Sequence, residues 1–196
     1  MDVLDQTALA AGLAWASGIR LYAVLFFAGL MQRFGLLQLP GALEVLAHPW
    51  VLGASGFMLV AEFFADKVPV VDSAWDAVHT FIRIPAGAVL AAASLGHADP
   101  VWVALAAILG GSIAAGSHAA KAGGRAVINT SPEPVSNWAA SVGEDLLVPA
   151  GLLMAVKLPF VFLALLALFL LGVLWMLPKL VRGVGQAFRR LRGEAR

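Results

Sequence analysis

The chain has 196 residues, 61% of them apolar and only 13% charged, with a net charge of +1 and no cysteine. An ordinary soluble domain carries about 45–50% apolar and about 25% charged residues. The imbalance excludes a disordered chain, a nucleic-acid binder and a conventional cytosolic enzyme; without cysteine there is no disulfide, thiol catalysis or zinc–thiolate site.

The hydrocarbon core of a bilayer takes about 20 mostly apolar residues per helix. The first such stretch, 7–31, is broken by Arg20, and the second, 49–65, by Glu62. A third, 84–97, is short but extends back to Ser73 as a helix. The fourth, 100–120, carries His118; the fifth covers 146–157; Leu158 to Pro178 holds no charge at all. These stretches predict an all-α, polytopic transmembrane helix bundle of six spans over residues 1–178, followed by a basic tail over 179–196.

Asp2 and Asp5 stand where a signal peptide carries positive charge, so the first stretch reads as a retained span. With both termini cytoplasmic, Lys67, Arg83, Lys121, Arg125 and the basic tail fall inside, and only Arg33 and Lys157 outside, as the positive-inside rule asks. Trp50, Trp75, Trp102 and Trp175 lie near span ends, where an aromatic belt places them. In the tail, Val181, Val184, Phe188 and Leu191 recur at helical spacing among Lys179, Arg182, Arg189 and Arg190. That pattern suits a helix on anionic lipid headgroups, or a plain orientation anchor. The lipid bilayer is thus the expected partner, nucleic acid is not, and a homo-oligomer stays open.

An internal repeat is visible. Pro69, Ser73 and Trp75 recur at the same spacing as Pro132, Ser136 and Trp138, and Pro85-Ala86-Gly87 is answered by Pro149-Ala150-Gly151. The units, 49–97 and 112–160, pair spans two and three with four and five and point the same way across the membrane. Ser73 with Asp76, and Ser141 with Glu144, have capping-box spacing. Pro85 and Pro149 lie well inside their helices, where proline removes an amide donor and kinks the chain. In a bilayer such kinks face protein or a wet cavity, and a matched pair of interrupted helices points to a transport site.

Most remaining charge is patterned. Asp72, Asp76, His79 and Arg83 share one helix face, as do His118, Lys121 and Arg125. Glu62 and Asp66 form an i, i+4 pair, Glu144 and Asp145 open span five, and Arg20 lies between Ser17-Gly18 and Tyr22. An ionisable group at a span centre costs about 2.5–3.5 kcal/mol on the insertion scale. Arg20 is therefore expected to pair with Glu62 or Asp66 inside the bundle, while the loop charges taken singly are expected to be solvated. Asp72, Asp76 and His79 are donor types for a divalent metal, the one cofactor suggested, although the second repeat offers Ala139 in place of Asp76. Lys121 and Arg125 suit an anion or lipid headgroup, or the acidic face across the bundle. Span four is dense in small residues from Gly110 to Gly124 and reads as a packing helix at the bundle's centre. Phosphate-loop, nucleophile-elbow and His-Glu-x-x-His motifs are absent.

These segments resemble a bacterial integral-membrane family catalogued as domain of unknown function 4126. The resemblance rests on Ser17-Gly18-x-Arg20-x-Tyr22, on Glu62-Phe63-Phe64-Ala65-Asp66-Lys67-x-Pro69 and on Asp72-Ser73-x-Trp75-Asp76-x-x-His79-Thr80-Phe81-x-Arg83-x-Pro85-Ala86-Gly87. It continues through Gly116-Ser117-His118-Ala119-Ala120-Lys121, Asn129-Thr130-Ser131-Pro132-Glu133-Pro134-x-Ser136-Asn137 and Glu144-Asp145, covering roughly residues 8–157. It implies a polytopic protein of the bacterial inner membrane and brings no catalytic residues with it. The leading expectation is a transporter- or channel-like protein for a small polar or anionic solute. Its site faces the cytoplasm and is lined by Arg20, Glu62, Asp66, Asp76, His79, Arg83, His118, Lys121, Arg125, Glu144 and Asp145. Two alternatives stand beside it. One is a membrane-embedded enzyme acting on a lipid phosphate through Asp72, Asp76 and His79; the other is an assembly or scaffold protein.

Overall fold

The computed structural model describes residues 2–96, 98–128 and 134–191, and every regular element among them is helical. In order these are α1 (Val3–Arg33), a short 3-10 helix (Gly41–Ala47), α2 (Pro49–Ala65), α3 (Pro69–Ser94), α4 (Pro100–Ile128), α5 (Pro134–Lys157) and α6 (Pro159–Leu191). Each of α2 to α6 opens on proline, whose fixed φ suits a first helical residue and whose missing N–H is no loss there. The expected capping boxes do not form. Ser73 and Ser141 lie within α3 and α5, because Pro69 and Pro134 start those helices earlier.

By length and composition alone, with α1 counted whole, five helices could cross a membrane, or six if the 3-10 helix and α2, bent by 66°, form one span. The chain is a polytopic helical membrane protein. α6 carries the last span into the tail without a break, through Pro178. The side chains of the proposed amphipathic tail face, Val181 to Arg196, lie outside the described residues, as does Pro132 of the repeat.

α1 does not run straight as a single span would. Its helical dihedrals fail at one residue, Arg20, which is extended at φ −146°, ψ 90°. A straight helix of 31 residues would be about 46 Å long, yet Gln6 shares the wall of one cleft with Gln38, Leu39 and Gly41. The contacts along both limbs trace the reversal. Thr7 lines one pocket with Leu95 and Trp102, Gly12 meets Ala155 and Phe162, and Gly18 meets Ala114 and Ser117. Past Arg20, Phe26 packs on Gly56, Gly29 on Leu46 and Leu52, and Arg33 donates to the Ala47 carbonyl at 3.5 Å. Residues 3–19 therefore descend from the Gln38 end of the bundle, Arg20 turns the chain, and residues 21–33 climb back. Gln6 thus lies at the end of the bundle opposite the one where Val173 and Met176 of α6 pack beside Val127.

This folded-back pair, not α4, occupies the middle. α1 touches every other helix, and Leu9, Leu13, Ala14, Ala23 and Val24 are fully buried, whereas α4 shows much of its surface outside. The small residues of α4 still act as expected in packing. A Cβ on Gly110 would collide with Ala91 of α3, and one on Gly87 with Ala114, so α3 and α4 meet almost backbone to backbone. The two Pro-Ala-Gly motifs also act through their glycines. Gly87 packs on the carbonyl of Ala14, and Gly151 lies under the indole of Trp15. The prolines themselves do not flank the site: α3 and α5 continue through them, Pro85 faces outward and Pro149 is half-buried. Trp50, Trp102 and Trp175 are exposed, as a belt requires, while Trp75 is turned partly inward.

The absence of native cysteine makes the reversal directly measurable. Single variants Gln6→Cys and Gln38→Cys are expected to react with an impermeant thiol reagent from one side of the membrane, and Lys67→Cys from the other. Reaction of Gln6→Cys from the Lys67 side would overturn the folded-back geometry.

Candidate functional site

The ionisable side chains singled out from the sequence meet around the Arg20 turn. Arg20 is fully buried. One of its terminal nitrogens donates to Asp66 Oδ2, to the Ser141 hydroxyl at 2.8 Å and to the Ser141 carbonyl at 3.2 Å. Its Nε stands 3.1 Å from Asp145 and 3.4 Å from Glu144. Of the two partners expected for Arg20, Asp66 is the one it takes. Glu62 pairs with Arg83 instead.

Arg83, also fully buried, holds the α3 side of the network. It donates to Glu62 Oε1, to Asp76 Oδ1 at 2.7 Å and to His118 Nδ1 at 3.3 Å. Its own carbonyl accepts from Ser17 of the descending α1 limb at 2.8 Å. Arg125 grips Glu144 through two bonds of 2.9 and 3.1 Å, and reaches Asn137 at 2.8 Å and Asp66 at 3.3 Å. A planar guanidinium forking onto one carboxylate is the strong form of such a pair. Lys121 lies between the others, 3.4 Å from both Asp76 and Glu144.

Both histidines have their ring protons assigned by their partners. His118 accepts from Arg83 at Nδ1, so its Nε2–H donates to Thr80 Oγ1 at 2.7 Å, and that hydroxyl donates to the Asp76 carbonyl at 2.9 Å. His79 donates through Nδ1 to the Trp75 carbonyl at 2.8 Å, accepts from the Tyr22 hydroxyl at 3.1 Å, and stacks on Trp75. Each pattern suits a neutral imidazole.

The expectation that the loop-side charges are solvated fails. Asp72, Asp76, His79, Arg83, His118, Lys121 and Arg125 are all buried. Glu144 and Asp145 are half-buried. Only Lys67 follows the plain expectation in part. It lies against the ring of Phe63, 5.0 Å from that of Trp138, and its partial burial lowers its pKa below the ordinary lysine range. Four cations (Arg20, Arg83, Lys121, Arg125) thus face six carboxylates: Glu62, Asp66, Asp72, Asp76, Glu144 and Asp145. A cleft of about 270 Å³ opens beside them between α3 and α4, lined among others by Asp72, Asp76, Thr80, His118 and Arg125.

Asp72, Asp76 and His79 do not assemble as metal ligands. His79 is turned to Tyr22 and Trp75, Asp76 to Arg83 and Lys121, and no three His, Asp or Glu side chains among the described residues converge as a metal requires. The polar partners missed from sequence are Ser17, Tyr22, Thr80, Asn137 and Ser141. Their positions carried the signal: Ser17 and Tyr22 flank Arg20, and Asn137, Ser141 and Glu144 share a helical face.

A bundle of apolar helices around a buried, mixed-sign ionic centre defines an integral membrane protein with a polar interior. The chain belongs to the family described as domain of unknown function 4126, whose profile matches residues 7–179 and so takes in the last span as well. No curated protein and no solved structure matches it.

Removing one partner from a buried ion pair leaves a bare charge and costs about 3–5 kcal/mol. Arg83→Leu is expected to lose stability on that scale, and adding Glu62→Gln is expected to recover part of the loss. Thermal unfolding of both single variants and the double variant in detergent measures the coupling. Strictly additive losses would show that the two side chains do not act as a pair.

Proposed function

We propose that the protein is transporter- or channel-like and passes a small polar solute through the α3–α4 cleft. The observation that carries this reading is the position of the ionic centre. Charged groups from α1 to α5 surround the tip of a folded-back helix, with a polar cleft on one side. On the other side stands an apolar layer including Leu9, Leu13, Val148 and Leu152, all fully buried. A half-helix pair ending at a charged site inside the membrane is tolerated only where protein or water surrounds it, which is how transport proteins expose backbone and charge at depth.

The Lys67 end is the cytoplasmic one on this reading, in a bacterial inner membrane. Lys67 and the basic tail then lie inside, while acidic Asp2 and Asp5 lie at the other face with the Gln38 loop. Duplication of α2–α3 as α4–α5 fits as well, since Gly87 and Gly151 pack on the neighbouring residues Ala14 and Trp15 of α1. The anionic form of the solute loses its support, because each network cation already faces carboxylates. A lipid-phosphate enzyme fares no better: Arg125 is saturated by Glu144, Asn137 and Asp66, and His79 is committed to Tyr22 and Trp75.

Proteoliposomes loaded separately with labelled methylammonium, bicarbonate and urea test the reading across three charge classes. At least one is expected to leave faster than from protein-free vesicles, with Arg20→Ala and Glu62→Gln returning its rate to background. Background rates for all three with the folded wild-type chain would sink the proposal.

A further inference from the structure

Lys121 differs from the other cations of the network. Its side chain is 2% exposed, and its Nζ is buried and makes no hydrogen bond among the described residues. It hangs 3.4 Å from Asp76 Oδ1, 3.4 Å from Glu144 Oε2, 3.9 Å from Glu62 Oε1 and 4.0 Å from Asp66 Oδ2. Even the two nearest approaches are longer than the usual span of an N–H···O bond, about 2.7–3.2 Å, and neither forms one. Carboxylates from α2, the turn after it, α3 and α5 therefore enclose one ammonium, and none of them grips it. The other oxygens of two of these carboxylates, Glu62 Oε2 and Asp66 Oδ1, are buried with no donor among the described residues. The cage has more acceptor capacity than its occupant uses.

We propose that this cage is a binding site for a small primary ammonium ion, and that Lys121 is a tethered occupant which the incoming amine displaces. The inference rests on the transport reading and names the solute class for it. Three observations agree. The sign is right, since six carboxylates outnumber four cations around the site. The donor count is right, because a primary ammonium brings three N–H groups to oxygens that lack donors, whereas a quaternary ammonium brings none. The approach is right, because Asp76 both lines the cleft and touches Lys121.

A metal ion fits poorly. It needs oxygens at about 2.0–2.6 Å, and the described residues offer no three-ligand group for one. The cleft, at about 270 Å³, is ample for methylammonium and its hydration. Lys121's flexible four-carbon stem lets its own ammonium leave as the guest arrives. The cage then stays neutralised throughout the exchange, which keeps bare carboxylates out of the low-dielectric interior.

Methylammonium chloride is the probe and tetramethylammonium chloride the control at equal ionic strength, with the full chain in nanodiscs. Lys121→Ala empties the cage and is expected to bind methylammonium saturably, read as a rise in melting temperature that the control salt does not give. Wild type is expected to bind it about tenfold more weakly if Lys121 vacates the cage about a tenth of the time. Asp76→Asn added to Lys121→Ala is expected to remove the response. An equal response of Lys121→Ala to both salts overturns the proposal.

A second measurement uses the wild-type chain and covers a Lys121→Ala protein that does not fold. Methylammonium is expected to raise labelling of Lys121 by an amine-reactive reagent, with Lys67 and Lys179 as internal references. Unchanged or reduced labelling overturns the displacement. The two readings fail separately: saturable binding without methylammonium flux removes transport and leaves the site. Urea or bicarbonate flux without methylammonium binding removes the site and leaves transport.

Discussion

Arg20 is the constraint on which the rest of the structure depends. A guanidinium with no exposure inside an apolar bundle must be paired, since desolvating an unpaired charge costs several kcal/mol. Its partners lie on α5 and at the foot of α2, reached only because the backbone leaves the helical region at this one residue. The break would be costly against lipid, where the freed amides and carbonyls find no donors or acceptors. Here it is enclosed by α3, α4 and α5, and the side chain that causes the burden also donates to a neighbouring carbonyl, that of Ser141.

Close packing makes the charge network geometrically attainable. Gly18 brings the descending limb of α1 against Ala114 and Ser117 of α4, and Gly87 with Gly110 brings α3 against α4. Helices that approach this nearly place the bases of their side chains within one side-chain length of a common centre. Arg83, His118 and Lys121 then converge from helices that continue unbroken through these positions. Lipid-facing positions carry no such requirement, and Phe57, Phe64, Phe81 and Leu168 are accordingly large and outward.

Much of this was legible in the sequence. Apolar run length gave the helices, and i, i+4, i+7 spacing gave the two charged faces of α3 and α4, because both are local properties with a fixed period. The fold-back of α1 was not legible. Residues 7–31 read as one apolar run, and only the single arginine within it, Arg20, marks a turn. Arginine at such a position is equally compatible with a straight span whose charge pairs sideways. The buried state of Asp72 and Lys121 was hidden for a related reason. A charge near a span end is solvated or buried according to how far its helix continues past it, and α3 begins at Pro69 rather than near Ser73. The prolines misled in the opposite direction. Proline frees a carbonyl, which suggests a site, but in Pro-Ala-Gly the residue that meets α1 is the glycine.

Sharing of partners gives the network its capacity for change. Asp66 serves Arg20, Arg125 and Lys121, and Glu144 serves the same three cations. A small shift of α5 against α1 therefore trades one cation for another at the same carboxylate and strands no charge. Exchange of that kind avoids the full desolvation penalty that rupture of a dedicated pair would incur. A centre built from isolated pairs would lock the helices together, whereas one built from shared carboxylates holds them while leaving alternative pairings close in energy. On the transport reading proposed above, a bundle that stays sealed and still changes which face its polar interior addresses needs that property. In this chain it arises from two carboxylates placed where three cations can reach each of them.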